Sequence, residues 1–536
     1  MCDTKSKNAD VKMLITILDG YVDEPSILGV PPYISPYIRE VAGVCKELNV
    51  NCRYTTIDQW RSGEKITGDV LVVIGGAVVP GKYLRTYPAS KREILEIAKS
   101  FKGLKILGGG LARFRLIKDG FDYYARKDVD ALLYDVLTDN FSEHRFHTLD
   151  EWNRWLIQGA PIVKNHPDFP DSIIVEIETF RGCPRYIGGG CSFCIEPLYG
   201  KPIFREVEDI IKEMRILKEI GVQNFRIGGQ TCIYSYKAYG VGDKDVVQPN
   251  VGAISKLFKM AWSLHPSVLH VDNANPAVIA NYPKESEQVT EIIAKYTTSG
   301  NVLSFGMESA DPQVILKNNL NAKPEEVMEA IRLVNEIGGD RGDNGMPRLL
   351  PGLNFICGLW GERKETYVLN YKFLEKVKET GYLLRRINIR QAASTRNNFK
   401  LKYHHECWKF RELVRNNIDS YMLQRVVPKR TVIRNVFLEV KKGKYTYGRQ
   451  IGTYPIVVVL PYSTEIRRFV DIKVIGHGQR SITGIEYPLE IKDMKYSILK
   501  VIPGMNDRKA ASAIRDNRLP KEMLLKKYPE LKEYIT

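Results

Sequence analysis

The sequence predicts an α/β protein of several domains, and three observations carry that prediction. From Met13 to about Ala393, short apolar runs closed by glycines alternate with stretches of helical spacing, the pattern of parallel strands and crossover helices. A chain of 536 residues exceeds what one hydrophobic core supports. Lys441–Leu489 departs from the alternation and is rich in short strands with glycine turns.

With 44% hydrophobic and 26% charged residues, the composition is that of a globular protein. No apolar run reaches the roughly 18 residues of a membrane span, and "MCDTKSKNAD" lacks the apolar core of a signal peptide. Nine cysteines, three of them clustered, favour metal or redox chemistry in the cytoplasm over a secreted disulfide framework. Of the net charge of +16, the stretch 396–536 holds +15, from 29 Lys+Arg against 14 Asp+Glu. A charge concentrated in this way marks a surface for a polyanion.

In chain order, "MLITILDG", "GDVLVVIGG" and "GLKILGGG" read as buried strands, with "YIREVAGVCKELN" helical after the first. Residues 1–150 thus form a doubly wound domain, whose ligands would bind at the carboxyl ends of its strands. From 171 to 395 come six further strands: "SIIVEIETFRG", "NFRIGGQ", "VLHVDNANP", "VLSFGMESAD", "GLNFICGLWGE" and "RRINIRQA". Helical stretches such as "EVEDIIKEMRILKEIG" separate them, as in a partial (β/α)6 barrel with its site at the carboxyl strand ends. A connection, 396–435, leads to a small β-barrel at 436–490, and 494–536 closes the chain with two short helices around Pro503–Gly504.

"RGCPRYIGGGCSFC" places Cys183, Cys191 and Cys194 in one glycine-rich stretch. A structural zinc site takes four protein ligands, commonly in two pairs. A redox C-x2-C leaves Cys183 unexplained. Three thiolates can bind three irons of a [4Fe–4S] cluster and leave the fourth iron to a small molecule. Cys232 and Cys357 read as buried structural residues, and Cys2, Cys45 and Cys52 as small packing residues.

These residues resemble the radical S-adenosylmethionine (SAM) superfamily, whose usual spacing is C-x3-C-x2-C with an aromatic, here Phe193, before the last cysteine. The first spacing is longer here, by "PRYIGGG". "IGGQ" stands where the family has a Gly-Gly-Glu-like turn for the methionine amine, "FGMESAD" matches its fourth-strand motif, and "NFICGLWGERKETY" its fifth. The resemblance implies a [4Fe–4S] cluster on the three cysteines and SAM held by Phe193, Gly228, Gly229, Gln230, Glu308, Ser309, Ile356 and Gly358. It also implies an external reductant, and hydrogen abstraction from an unactivated carbon by a 5′-deoxyadenosyl radical. Residues 1–150, with "LDGYVDEPSILGVPPYISP", resemble the cobalamin-binding-type domain upstream of many such enzymes. Those domains often offer cobalt a histidine, but the first histidine here is His144, so the domain either binds a corrinoid without one or serves for docking.

"KKGKYTYGRQIGTYPIVVVLP" to "SITGIEY" resembles the TRAM domain, an RNA-binding barrel, with a face of Lys442, Lys444, Tyr445, Tyr447, Arg449, Arg467 and Arg468. "VIPGMNDRKAASAI" resembles a helix-hairpin-helix, with Gly504, Arg508 and Lys509 toward phosphate and Asn506 in the place of a left-handed glycine. Together the segments resemble an archaeal-type radical SAM family with a C-terminal helix-hairpin-helix, cousin to the tRNA methylthiotransferases. That resemblance implies a tRNA substrate and transfer of methyl, or less readily methylthio, to an unactivated carbon. The adenosine beside the anticodon, on its threonylcarbamoyl side chain, is one such carbon centre. The competing readings are a cobalamin-dependent radical SAM methylase of a lipid, peptide or small metabolite, and a non-catalytic nucleic-acid-binding protein.

Overall fold

The computed structural model describes residues 13–21, 32–76, 84–140 and 145–535. It falls into two compact units, Met1–Ile177 with Glu208–Gln223, and Glu178–Val207 with Asn224–Thr536.

In the first unit, β1 (Leu14–Asp19), β2 (Asn51–Thr56), β3 (Val70–Ile74), β4 (Leu104–Gly108) and β5 (Tyr123–Tyr124) form one parallel sheet in the order β2-β1-β3-β4-β5. The run "VLVVI" is apolar at every position, and "LITI" at all but Thr16, whose hydroxyl donates to the Thr67 carbonyl, because helices cover both faces of such a sheet, and β3 is buried along its whole length. Helix α1 (Pro36–Glu47) opens on a proline, whose missing N–H costs nothing in a first turn. Helix α2 (Leu149–Gln158) opens on a reciprocal Thr148–Glu151 capping box. The two helices meet at glycines. A Cβ on Gly43 would stand 2.1 Å from the Trp155 carbonyl oxygen, and one on Gly159 1.8 Å from that of Arg39. Arg39 itself is fully buried, paired with Glu213 and donating to the Glu176 carbonyl.

The strand order reverses between β1 and β3, which opens a crevice at their carboxyl ends. A cavity of about 380 Å³ lies beside the carboxyl ends of β1 and β2, lined by Tyr21, Thr56, Asp58, Arg85, His166 and Asp168. His166, from beyond residue 150, brings a histidine to this end of the sheet. Its Nδ1 accepts from the Asp168 N–H at 3.0 Å, and burial lowers its pKa to about 4. Most of "VDEPSILGVPP", residues 22–31, lies outside the described residues, as does Cys2.

All six strands expected after residue 171 are present. β6 (Ile174–Glu178) pairs in parallel with the short strand Tyr33–Ile34. In the second unit β7 (Asn224–Gly228) pairs with β8 (Val268–Val271), and β9 (Asn301–Glu308), β10 (Leu349–Cys357) and β11 (Ile387–Gln391) form a parallel sheet. A bridge from Ala274 to Phe305 joins the end of β8 to β9. The connection 396–435 is largely helical, with α3 (His404–Leu413) running through a π turn, Val414–Asp419, into Ser420–Val426.

Next come β12 (Val432–Lys442), β13 (Tyr445–Gln450), β14 (Val457–Leu460), β15 (Phe469–His477) and β16 (Ser481–Glu486), which close a barrel in the order β12-β13-β14-β16-β15. Its β13–β14 loop is driven into the α/β part. The Tyr454 hydroxyl donates to Asp272, itself paired with buried Arg226, at 2.6 Å. Arg386 lies 3.6 Å from the Tyr454 ring centre, and Arg385 donates to the Tyr454 and Pro455 carbonyls. In the C-terminal helices, Asn506 differs from its expected left-handed role. It is extended at φ −121° and caps Asp507–Arg515 by accepting from the Lys509 N–H, while Gly504 takes the positive φ of 86°. A single left-handed residue suffices to turn the chain, which frees the asparagine side chain to cap.

Gly43→Val should force α1 and α2 apart and lower the stability of the first unit by about 1–3 kcal/mol or more. Urea denaturation followed by tryptophan fluorescence would measure it, and Gly252→Ala, where a Cβ meets only the Asn250 Oδ1 at an ordinary 3.6 Å, is the control.

Candidate active site

The cysteine loop has almost no secondary structure of its own, only 3-10 turns at Pro184–Tyr186 and Glu196–Tyr199. Gly189 and Gly190 take φ of 75° and 60°, and a Cβ on Gly190 would strike Pro197 at 2.3 Å, so glycine is required for the sharp turn back toward Cys191. The loop is held from outside. Arg396 donates through Nη1 to the carbonyls of Gly189 (2.9 Å), Cys191 (3.1 Å) and Cys194 (2.9 Å). The Asn397 amide donates to the Ser192 carbonyl at 2.6 Å. Asn319 donates to the carbonyls of Gly188 and Gly190, and Asn318 accepts from the Ser192 hydroxyl while its carbonyl accepts the Ser192 N–H. Arg185 donates to Asn319 and, at 3.3 Å, to the sulfur of Cys191.

Phe193 and Cys191 pack with Ile356 and Phe399 against the buried Leu359 and Ala392, so the loop's apolar side rests on the ends of β10 and β11. The three cysteines are half-buried. Burial pushes Cys183 up to about 11 and Cys191 to about 12, and raises Cys194 well above the usual thiol range. Such thiols ionise only when a cation compensates them, as bound iron does. Among the described residues the three sulfurs do not all lie within 4.8 Å of one another. A single tetrahedral ion with bonds of about 2.3 Å would hold them closer than that. Three cysteine sulfurs on one loop are the donor set that a [4Fe–4S] cluster with one open iron takes.

The residues expected to hold SAM stand at the strand ends. Gly228 closes β7, and Gly229 follows it at φ 76°, where a Cβ would meet the Glu178 side chain at 2.9 Å. Gln230 is buried and committed to the protein: its Oε1 accepts from the Thr179 hydroxyl and its Nε2 donates to the Ile227 carbonyl. Its side chain therefore braces the turn, and the exposed chemistry there belongs to the backbone. Glu308 ends β9 in the left-handed region, φ 54°, which a side chain adopts only at a local cost. Burial raises its carboxyl to about 8, and the charge of Arg185 opposes this. A buried acid in this state becomes a good partner for an incoming cation. Ser309 is buried beside Asn370. Ile356 lies in the apolar patch, and Gly358, at φ 93°, lets residue Leu401 approach to 3.3 Å of where its Cβ would be.

The basic residues divide into two groups. On the β12–β13 hairpin, Lys442 lies 5.9 Å from the Tyr447 ring and Lys444 5.5 Å from that of Tyr445, with the two tyrosines 6.5 Å apart. Lys442 and Lys444 are exposed, as are Arg467 and Arg508. Arg449, Arg468 and Lys509 are ion-paired within the protein, to Glu439, Glu486 and Glu530. Sequence reasoning overlooked Arg185, Asn318, Asn319, Arg396 and Asn397. Arg396 and Asn397 left a trace, in the "STRNN" after the sixth strand, and Arg185 in the "PRYIGGG" of the cysteine loop.

A profile of the radical SAM superfamily matches residues 177–365. A protein of Methanocaldococcus jannaschii, described as uncharacterised, is 45% identical over 505 residues, covering 87% of this chain and 92% of its own length. The ribosomal protein uS12 methylthiotransferase of Clostridioides difficile is 26% identical over 36% of this chain and 39% of its own. A tRNA-2-methylthio-N(6)-dimethylallyladenosine synthase from Sulfurihydrogenibium is 21% identical over 46% and 49%. Among solved structures, the methyltransferase TsrM of Kitasatospora setae, with cobalamin and a [4Fe–4S] cluster bound, covers 70% of this chain and 75% of its own at TM-score 0.45 and 11% identity.

Arg396→Ala leaves three carbonyls short of a donor, at about 1–3 kcal/mol each where buried. The variant should keep its fold by circular dichroism, yet retain less than about half the wild-type iron after anaerobic reconstitution and exchange the amides of residues 189–194 faster. Glu308 yields a pH prediction. A cationic ligand favours its ionised form, so below its pKa of about 8 binding must expel a proton. SAM affinity by equilibrium dialysis should then strengthen with rising pH, by at most about tenfold per unit, and level off above it. In Glu308→Gln the slope should vanish.

Proposed function

The chain belongs to the radical SAM superfamily, in one family with its Methanocaldococcus jannaschii relative, and from that premise we propose that it is a transferase acting on RNA, with tRNA as its substrate. A [4Fe–4S] cluster and SAM, when bound, supply hydrogen abstraction from an unactivated carbon. In this reading Cys183, Cys191 and Cys194 hold the cluster and leave one iron for SAM. Arg396 and the two asparagines fix the loop that carries them, while the Gly228–Gly229 turn offers backbone groups to the methionine end. Glu308 lies ready for positive charge, and Ile356 with Phe193 gives the adenosyl group an apolar wall that excludes water.

The observation that carries the RNA reading is the hairpin of Lys442, Lys444, Tyr445 and Tyr447. It presents lysines for phosphates beside aromatic faces for bases, on a barrel anchored in the catalytic part by Tyr454. The +15 of residues 396–536 supports it with long-range attraction. One similar methylthiotransferase acts, by its name, on a tRNA base and the other on a ribosomal protein, so the relatives alone leave the substrate open and the hairpin is what favours RNA. Methyl transfer ranks above methylthio transfer, because Cys45 and Cys52 lie on α1 and β2 of a sheet domain, without the motifs that flank an auxiliary cluster.

Binding to tRNA should weaken steeply with salt, and Lys442→Ala with Lys444→Ala should reduce the slope of log K against log salt by about 2. Salt-independent or absent binding would overturn the RNA reading. Mass spectrometry of tRNA nucleosides from cells with and without the gene should show one modified nucleoside lost.

A further inference from the structure

Beyond the cluster loop, one pair of cysteines stands out. Cys357 closes β10 and Cys407 lies in the first turns of α3, and both are at most 2% exposed. Their sulfurs are 2.7 Å apart. That is well inside the ~3.5–4.0 Å of ordinary non-bonded contact, so two thiols would have to separate, whereas a covalent bond needs only a small further approach. Cys232 makes the contrast: it is equally buried, but its sulfur simply accepts the Asn275 N–H at 3.2 Å. Helix α3 is seated here without help from sulfur, since Phe410 packs edge-on against Phe355 of β10 at 5.5 Å.

We propose that Cys357 and Cys407 form a cystine that closes the segment carrying Arg396 and Asn397 into a loop. The segment leaves the site where the Ala392 N–H donates to the Cys357 carbonyl at 2.8 Å, and it returns at Cys407 to the side chain of that same residue. With the bond made, both ends of the stretch that clamps the cluster loop are fixed to one position on β10. The chemistry is thiol–disulfide exchange with a low-molecular-weight disulfide. One protein thiolate attacks it and expels a small thiol, and the second protein thiolate then displaces the other. Two protein thiols are oxidised, one small disulfide is reduced to two thiols, and the two protons pass to those thiols. The inference rests on the thiol geometry and is independent of what substrate the enzyme modifies.

The test uses the full chain with its cluster, prepared anaerobically and divided between dithiothreitol and oxidised glutathione. Free thiols are then blocked under denaturing conditions before digestion and mass spectrometry. After glutathione disulfide, the peptides holding Cys357 and Cys407 should appear joined and lighter by two hydrogens. They should separate on reduction, and Cys407→Ser should show no joined species. Amide exchange over residues 392–407 should slow by about tenfold in the oxidised wild type, with no change in Cys407→Ser. Recovery of both cysteines individually blocked after oxidation would overturn the cystine. Equal exchange in the two wild-type samples would overturn its role as a clamp. Neither readout depends on Cys407→Ser folding, because each is decided on the wild-type protein.

Discussion

The guanidinium of Arg396 meets the carbonyls of Gly189, Cys191 and Cys194, and much of the second unit is arranged so that this donor arrives there. A loop rich in glycine has no ladder to satisfy its polar backbone, and its freedom in solution makes ordering it expensive. One charged amino group, Nη1 with its two N–H bonds, is shared among three carbonyls and converges them, which a set of separate neutral donors would do less rigidly. Asn318 and Asn319, after β9, do the same from the opposite side, and Asn318 also ties Trp360 after β10. The carboxyl ends of three strands are therefore coupled to the loop. The enlarged "PRYIGGG" stretch has a physical role in this: its carbonyls at Gly188 and Gly190 are the acceptors that Asn319 reaches.

What was legible in the sequence follows from the range of the interactions involved. Strands such as "VLVVI" and turns such as Gly228–Gly229 declare themselves within five or six residues, because burial on two faces and positive φ are local demands. The three cysteines were legible because they share one short loop. Arg396 and Asn319 were not, since their partners lie 205 and 129 residues away and nothing in a single sequence distinguishes a clamping arginine from a solvated one. The same blindness affected charge. Arg449, Arg468 and Lys509 count as positive in the sequence, but folding brings each against a glutamate, which a count of charges cannot show. Gln230 shows the converse: the position was recognisable, but whether the amide faces a ligand or its own backbone depends on Thr179, one strand away.

The thiols of this chain are sorted by environment. Three sit half-buried on a loop whose neighbours are polar and cationic, where a metal can reach them. Cys357 and Cys407 are shut in behind β10, among Phe355, Phe410 and Tyr367. Reactivity toward iron and reactivity toward another sulfur are thereby separated by a few ångströms of side-chain packing rather than by distance in the chain.

Tyr454 has one further consequence. Its ring is covered by Arg386, its hydroxyl is spent on Asp272, and its carbonyl is taken by Arg385. Three contacts on one residue restrain the β13–β14 loop against the α/β part. In the RNA reading proposed above, a polymer gripped at the Lys442–Tyr447 hairpin would be held at a separation from the cysteine loop that this joint helps to set, as by a caliper. Which atom of such a substrate entered the catalytic opening would then depend on length along that substrate, under the control of a tyrosine that itself touches neither end of the span.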